Sequence, residues 1–138
     1  MPQWTKRGKF TGFIVLCSFL YFNRKGRMKS EAELQKSIVE YLNKNYPQIL
    51  VFSVPNEATY KRRNYFHKLG MLSGVSDLIL VFLNGVIFIE CKAPKGKQSI
   101  EQTNFQKRVE VLGFKYFIIK DLEELKNIIN NEINFIDE

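Results

Sequence analysis

The stretch SDLILVFLNGVIFIECKAPKGKQS (residues 76–99) decides the fold, because it contains two apolar runs separated by Asn-Gly. Asn-Gly between apolar runs is a strong hairpin signal, since a type I′ turn needs positive φ at both of its central residues. We therefore predict two antiparallel strands over residues 77–83 and 86–92. Charged residues stand at the end of each strand that lies far from the turn, where a purely structural hairpin has no need of them.

The predicted turn fixes how these charged residues face each other. If Leu83 pairs with Val86, Asp77 lies directly opposite Lys92. Side chains alternate between the faces of a strand, so Asp77, Glu90 and Lys92 share one face, with Asp77 and Glu90 as diagonal neighbours. A shift of one residue would move Glu90 and Lys92 to the other face together.

This arrangement predicts a metal site. Two close carboxylates at the end of an apolar sheet repel each other and lose hydration, and a divalent cation removes both penalties. Carboxylates together with a backbone carbonyl are the hard oxygen ligands that Mg²⁺ prefers, and the Cys91 carbonyl lies between Glu90 and Lys92. Lys92 would orient a water molecule or stabilise negative charge on phosphorus. The alternative is a salt bridge between Asp77 and Lys92, with Glu90 exposed at a strand end.

The rest of the chain predicts an α/β fold, a mixed sheet flanked by helices with the element order α-β-β-β-α-β-α. The first helix opens with a capping box at Ser30 and Glu33 and ends near Asn45. A strand follows over residues 49–54. After the hairpin, a helix opens with Ser99 and Gln102 and ends at Gly113, with Leu112 facing inward. The last elements are a strand over residues 115–120 and a helix capped by Asp121.

Residues 55–76 form a long connection that is basic and aromatic, with one helical turn expected around residues 60–69. We predict that it contacts nucleic acid, because cations hold phosphates and aromatic rings stack on bases. The alternative is an ordinary solvated surface helix. The predicted DNA-binding residues, including two lysines in the turn that follows Lys92, are Lys61, Arg62, Arg63, Lys68, Lys95 and Lys97.

The net charge of +7 does not by itself indicate nucleic-acid binding. Residues 1–27 hold six basic residues and no acidic one, which leaves 15 basic and 14 acidic residues in the remainder. We interpret residues 1–27 as an N-terminal extension, with Met28 as a natural start and residues 28–138 as one domain. A peripheral anchor, an added strand or a signal peptide remain as alternatives, but the apolar run over 10–22 is too short to span a bilayer.

The combination GVSDLILV followed by VIFIECKAPKGKQSIEQTNFQ (residues 74–106) resembles the virus-type replication-repair nuclease family, VRR-NUC, of the PD-(D/E)xK nuclease superfamily. Asp77, Glu90, Lys92 and Gln102 match the family motif in order and spacing, and the resemblance covers about residues 29–130. Ser76 departs from the superfamily pattern, which has proline there.

The resemblance implies a restriction-endonuclease-like α-β-β-β-α-β core and metal-dependent hydrolysis of phosphodiester bonds, with Mg²⁺ or Mn²⁺ as cofactor. It assigns Asp77 and Glu90 to the metal, Lys92 to catalysis and Gln102 to a place beside the site. The family also has a glutamate on its first helix. We choose Glu31 for this role, as an outer metal ligand, because it shares the buried stripe of its helix. Glu33 is already used by the capping box.

The main functional hypothesis is an endonuclease that acts on branched DNA, since stand-alone members of the family resemble Holliday-junction resolvases. The same resemblance implies a homodimer, a role in phage or prophage replication or repair, and a cytoplasmic location without membrane attachment. Two alternatives remain: a catalytically inactive DNA-binding or assembly module on a nuclease fold, and an endonuclease that nicks duplex DNA.

Overall fold

The computed structural model describes residues 30–55 and 62–133, which form one four-stranded sheet with helices on both faces. The predictions for residues 1–27 and for Lys61 lie outside these ranges. Within the described ranges, no helix is both long and apolar enough to cross a bilayer.

The elements follow the predicted order, and the predicted α/β fold class is confirmed. One short helix, α2, is added inside the long connection, where a helical turn was expected. The elements are α1 (Glu31–Asn45), β1 (Leu50–Ser53), α2 (Arg63–Lys68), β2 (Leu78–Phe82), β3 (Gly85–Cys91), α3 (Ile100–Val111), β4 (Lys115–Ile119) and α4 (Leu122–Glu132). The strands lie in the order β1-β2-β3-β4; the first two pairs are antiparallel, and β3 and β4 are parallel.

Both predicted capping boxes are present. Ser30 accepts a hydrogen bond from the Glu33 N–H, and the Glu33 carboxylate accepts one from the Ser30 N–H at 2.7 Å. Ser99 and Gln102 exchange the same two hydrogen bonds at the start of α3. Each box satisfies two N–H groups that a helix start would otherwise leave without partners, so the starts of both helices are fixed by local sequence.

The predicted register of the hairpin is wrong by two residues. Phe82 pairs with Gly85, so the turn residues are Leu83 and Asn84 rather than Asn84 and Gly85. Asn84 has a φ of 66° and is the one non-glycine residue with positive φ in the part of the chain that the structure describes, which excludes a type I′ turn. Gly85 is needed instead for close packing, because a Cβ there would lie 2.6 Å from the Phe82 ring.

A shift of two residues keeps every side chain on its predicted face, because the faces of a strand alternate with period two. The shift does change which residues pair across the two strands. The observed pairing of Leu78 with Ile89, extended by one residue, places Asp77 opposite Glu90. The prediction that Asp77 lies opposite Lys92 is therefore wrong, but the prediction that Asp77, Glu90 and Lys92 share a face does not depend on it.

The two faces of the sheet are covered by different helices. Helices α1 and α4 pack on one face through Leu34, Ile38, Leu42, Leu125 and Ile129, against the buried side chains of β2 and β3. Helix α3 covers the other face through Phe105 and Val109, which pack with Tyr116 and Phe88. Leu112 was predicted to face inward, but it is the C-cap of α3 and is 73% exposed.

The loop that leads into β2 is seated against the first turn of α3. Gly74 has a φ of +77°, and a Cβ on it would lie 2.3 Å from the backbone carbonyl of Glu101. Gly70 has a φ of +95°, but a Cβ there would meet nothing within 4 Å. A side chain at Gly70 therefore meets only the cost of positive φ, whereas a side chain at Gly74 meets that cost and a steric clash.

We predict that Gly74→Ala destabilises the fold more than Gly70→Ala does. Gly70→Ala should lower the free energy of unfolding by about 1–2 kcal/mol, the cost of a side chain at positive φ. Gly74→Ala should cost a further ~1–3 kcal/mol, because rigid backbone must move. Urea denaturation of both variants measures the difference, and equal losses would contradict the close seating of the loop on α3.

Candidate active site

The site lies where β2 begins and β3 ends. Asp77 directly precedes β2, and Glu90 is the penultimate residue of β3. Glu90 points to the α3 face and is 0% exposed. Carboxylates are rarely buried to this extent without partners, because burial removes the water that stabilises their charge.

Three side chains supply hydrogen bonds to Glu90. The Lys92 Nζ lies 3.0 Å from Glu90 Oε1, and the Gln102 Nε2 donates to the same oxygen. The Tyr116 hydroxyl donates to Oε2 at 3.2 Å. The alternative of a surface salt bridge between Asp77 and Lys92 is therefore wrong in both its parts, since Glu90 is buried and is itself the partner of Lys92.

Asp77 is held against the end of β3 by the backbone. The Cys91 N–H donates to Asp77 Oδ2 at 2.8 Å. The next N–H along the chain, that of Lys92, points instead toward β4 and donates to the Ile119 carbonyl at 2.9 Å. The N–H and C=O of one strand residue point to the same side of the strand. The Cys91 carbonyl therefore points to the Asp77 side, as the predicted metal site requires.

Glu31 reaches the same end of β3 from the opposite face of the sheet. Its Oε1 accepts a hydrogen bond from the Ala93 N–H at 3.0 Å. The turn that follows β3 is closed by a hydrogen bond from the Gly96 N–H to the Ala93 carbonyl, and a Cβ on Gly96 would lie 3.0 Å from Glu31 Oε1. Glu33, in contrast, is engaged in the capping box. The structure thus brings Glu31, and not Glu33, to the site.

The electrostatics of the site are dominated by negative charge. Burial raises the pKa of Asp77, and the nearby Glu31 carboxylate adds to the effect, while the Cys91 N–H and Lys92 act against it. Burial also raises the pKa of Glu90, and the charge of Asp77 raises it further. Burial by itself lowers the pKa of Lys92, but its bond to Glu90 and the surrounding carboxylates outweigh that effect and raise it. Lys92 therefore remains an ammonium at neutral pH.

The donor groups fit a divalent cation by their chemistry. Three carboxylates face one ammonium, so the site has excess negative charge, and all its candidate ligands are oxygens. Within residues 30–55 and 62–133, no three side chains of His, Cys, Asp or Glu form a group that could hold a metal ion. The set that fits consists instead of two carboxylates, Asp77 and Glu90, and the backbone carbonyl of Cys91. Glu31, already bonded to the Ala93 N–H, fits an outer position.

Two solved structures share this architecture. A structure named "VRR_NUC domain protein" superposes with a TM-score of 0.62 at 16% identity, over 75% of this chain and 88% of its own. A structure named "VRR_NUC domain" superposes with a TM-score of 0.53 at 17% identity, over 76% of this chain and 100% of its own. The chain has the VRR_NUC fold. No protein-family model and no curated protein matches its sequence.

The resemblance predicted from the motif is thus confirmed at the level of the fold. Gln102 has the capping-box contact predicted from the spacing, since its side chain accepts from the Ser99 N–H, and it also lies beside Glu90, to which it donates. Ser76, which stands where the superfamily has proline, is fully buried, and its hydroxyl donates to the Leu78 carbonyl at 3.1 Å. Ser76 thus stabilises the start of β2 through this hydrogen bond, whereas a proline would do so through its fixed φ.

The predicted DNA-binding residues that the structure describes are all on the surface. Arg62, Arg63 and Lys68 belong to α2 or its start, a helix with no buried residue, and Lys95 and Lys97 lie in the turn after β3. The exposure fits both a DNA contact and the alternative of a solvated helix. In the first turn of α3, hydrogen bonds from its own N–H and from the Ser99 hydroxyl lower the pKa of Glu101, and the charge of the nearby Arg63 adds to the effect.

Two site residues were not identified from the sequence. Tyr116 contacts Glu90 directly, and Gln98 donates to Gln106 at 2.9 Å and reaches the Tyr116 hydroxyl at 3.5 Å. The signal for Tyr116 was present in the strand KYFIIK, because alternation puts Tyr116 and Ile118 on one face. Placing Tyr116 on the α3 face requires the parallel pairing of β4 with β3, in which Tyr116 pairs with Phe88. The sequence does not specify that register.

We predict that Asp77→Asn raises the thermal stability of the metal-free protein at neutral pH. The substitution removes a desolvated charge and its repulsion with Glu90, while an amide oxygen can still accept the Cys91 N–H. Because the pKa of Asp77 is raised in the folded state, the gain is present above that pKa. It disappears as the pH falls toward the ordinary value of 3.8, where the wild-type carboxyl is also neutral.

Melting curves of wild type and Asp77→Asn between pH 4 and 8, in the presence of a chelator, measure the effect. Glu123→Gln on the surface of α4 is the control, because it removes one negative charge that is exposed. A lower melting temperature for Asp77→Asn at pH 7 would contradict the electrostatic description of the site.

Proposed function

We propose that the protein is a metal-dependent endonuclease that hydrolyses phosphodiester bonds in DNA. The observation that carries the proposal is the fully buried Glu90, which lies beside Asp77 and Lys92 at one end of a sheet with the VRR_NUC fold. A stable fold alone does not call for two desolvated carboxylates on neighbouring strands. Both carboxylates become favourable when a cation neutralises them.

A divalent cation, Mg²⁺ or Mn²⁺, would be held by Asp77, Glu90 and the Cys91 carbonyl, with Glu31 as an outer partner. Such an ion, when bound, polarises a phosphate oxygen and lowers the pKa of a coordinated water. The remaining contributions come from the chain itself. Gln102 keeps the buried Glu90 carboxylate in one orientation through its hydrogen bond.

Lys92 supplies a fixed positive charge. Its side chain is 9% exposed, and its ammonium is held 3.0 Å from Glu90 Oε1. In this position it can donate a hydrogen bond to the attacking water or to a phosphate oxygen whose negative charge increases as the phosphodiester bond breaks. Because its pKa is raised, it acts as a donor and not as a base at neutral pH.

The substrate is DNA that is recognised by its shape. The basic residues Arg62, Arg63, Lys68, Lys95 and Lys97 are exposed and suit phosphate contacts, which fix position without reading sequence. Lys61 belongs to the same proposed set. Shape recognition favours branched DNA, such as a four-way junction, cleaved in the cytoplasm of a bacterial or phage-infected cell. A homodimer would place two active sites on two strands of such a junction.

Cleavage of labelled DNA tests the proposal. Four-way junction, flap and linear duplex substrates are incubated with the protein and Mg²⁺ or Mn²⁺, with EDTA as control, for wild type and Asp77→Ala. We expect paired, symmetric nicks in the junction that EDTA abolishes and that Asp77→Ala reduces by more than ~100-fold, since several kcal/mol of transition-state stabilisation is lost.

The other outcomes discriminate among the alternatives. Cleavage of linear duplex with no preference for the junction would support a duplex-nicking endonuclease and contradict junction specificity. Binding of DNA by folded protein, with no cleavage of any substrate under either metal, would contradict nuclease activity. It would instead support a DNA-binding or assembly module.

Glu31 and Glu33 provide a matched pair for the role of the helical carboxylate. Glu31→Gln and Glu33→Gln each remove one negative charge from the first turn of α1, so they affect the helix dipole alike, and glutamine still serves a capping box. We predict that Glu31→Gln lowers the cleavage rate by roughly 10–100-fold, as expected for an outer metal partner. Glu33→Gln should leave the rate unchanged. Equal rates for the two variants would remove Glu31 from the site.

A further inference from the structure

The side of Glu90 that faces away from Lys92 is connected to a chain of hydrogen bonds that the proposed chemistry does not use. The chain runs from Glu110 on the surface of α3 through Gln106 and Gln98 to Tyr116 and ends at Glu90 Oε2. Tyr116 is 7% exposed and Glu90 is fully buried. The inner end of the chain is thus shielded from solvent.

The direction of donation along this chain is fixed by its outer end. The ionised Glu110 carboxylate can only accept, so it takes the Gln106 Nε2 as donor at 2.8 Å and leaves the Gln106 oxygen as an acceptor. That oxygen accepts from the Gln98 Nε2 at 2.9 Å. The same Gln98 nitrogen donates its second hydrogen to the Tyr116 oxygen, at 3.5 Å.

Tyr116 consequently has one direction left for its own hydrogen. Its oxygen already accepts from Gln98, so its O–H donates to Glu90 Oε2 at 3.2 Å. The ring cannot easily turn away, because it packs edge-on against Phe105, with centroids 6.2 Å apart, and Phe105 packs edge-on against Phe88. The aromatic cluster fixes where the hydroxyl is, and the amide chain fixes which way it donates.

An ionised carboxylate has about four acceptor directions on its two oxygens. Lys92 and Gln102 both act on Glu90 Oε1, and Tyr116 takes one direction on Oε2. One direction therefore remains, and it is on Oε2. Lys92 and Gln102 thus occupy Oε1 and leave only Oε2 for a cation, and the hydrogen bond from Tyr116 holds the carboxylate in the rotation that keeps Oε1 with them.

We propose that Tyr116, oriented by Gln98 and Gln106, is a positioning residue that holds Glu90 in the rotation in which only Oε2 can bind a metal. This inference rests on the metal site of the proposed function. A one-oxygen carboxylate suits the strict octahedral shell of Mg²⁺ or Mn²⁺, whereas Ca²⁺, which takes six to eight ligands, gains from a carboxylate that binds through both oxygens. Tyr116 thus favours the smaller ions over Ca²⁺.

The test is a calorimetric titration of the full chain with Mn²⁺, Mg²⁺ and Ca²⁺, carried out on wild type and on Tyr116→Phe. We expect Tyr116→Phe to weaken Mn²⁺ and Mg²⁺ binding by roughly tenfold, as for other partners of metal ligands. Ca²⁺ binding should weaken less or improve, so the ratio of Ca²⁺ to Mg²⁺ affinity rises. A general loss of packing would weaken all three ions alike and leave this ratio unchanged.

Tyr65→Phe is the matched control, because it removes the same hydroxyl from a ring of α2 that is 61% exposed and outside the hydrogen-bonded chain. It should leave all three affinities unchanged. Gln98→Leu is a second variant that keeps the Tyr116 ring, so the test remains decisive if Tyr116→Phe folds poorly. Gln98→Leu should shift the affinity ratio in the same direction. Its effect should vanish when Tyr116→Phe is already present, because the two residues act through one contact.

Unchanged affinities and an unchanged ratio in both folded variants would overturn the role of Tyr116 while leaving the metal site intact. An equal loss for all three ions would also overturn it, in favour of a purely structural role. If wild type itself binds none of the ions, the proposed metal site fails first and the role of Tyr116 fails with it.

Discussion

The charge of Glu90, buried to 0% exposure, is the constraint on which the rest of this structure depends. A desolvated carboxylate is tolerated only when donors surround it, and here the donors come from three different elements. Lys92 follows the end of β3, Gln102 is in the first turn of α3, and Tyr116 is on β4. The placement of α3 and β4 around β3 is therefore coupled to one side chain as well as to apolar packing.

The same constraint explains why the two layers of helices play different parts. Helices α1 and α4 bury the large apolar cluster and contribute one side chain, Glu31, at the edge of the site. Helix α3 buries a smaller aromatic cluster and carries the polar residues that surround Glu90. Stability is concentrated on one face of the sheet and the proposed chemistry on the other.

Much of the fold follows from local sequence, whereas the features that the sequence did not predict depend on tertiary contacts. Ser30 and Ser99 predicted the starts of two helices, since capping boxes are contacts over three residues. The hairpin was predicted, but its turn lies one residue earlier than predicted, at Leu83 and Asn84, and Gly85 packs against the Phe82 ring as the first residue of β3. Helix α3 ends at Val111, one residue earlier than predicted, and Leu112 is exposed rather than buried.

For the site, period-two alternation on the hairpin put Asp77, Glu90 and Lys92 on one face, and the resemblance to the VRR-NUC family put Gln102 beside them. The sequence also favoured Glu31 over Glu33 from helical spacing. Tyr116 and Gln98 could not be placed, since their positions depend on the parallel pairing of β3 with β4, and such pairing leaves no turn signature in the sequence.

The two-residue displacement of the hairpin has a consequence for how this protein can change. Moving a two-residue turn by one position shifts the pairing register by two residues, so Asp77 and Glu90 stayed on one face wherever such a turn lies. Leu83 is 70% exposed, so its position at the tip is free to vary, whereas the positive φ of Asn84 and the packing of Gly85 limit the positions beside it. Insertions or deletions of two residues in one strand arm near the tip would keep Asp77 and Glu90 on their shared face. A single-residue change would move one of them to the other face unless a bulge or a longer loop at the tip absorbed the odd residue. The hairpin thus filters length variation in its arms by parity.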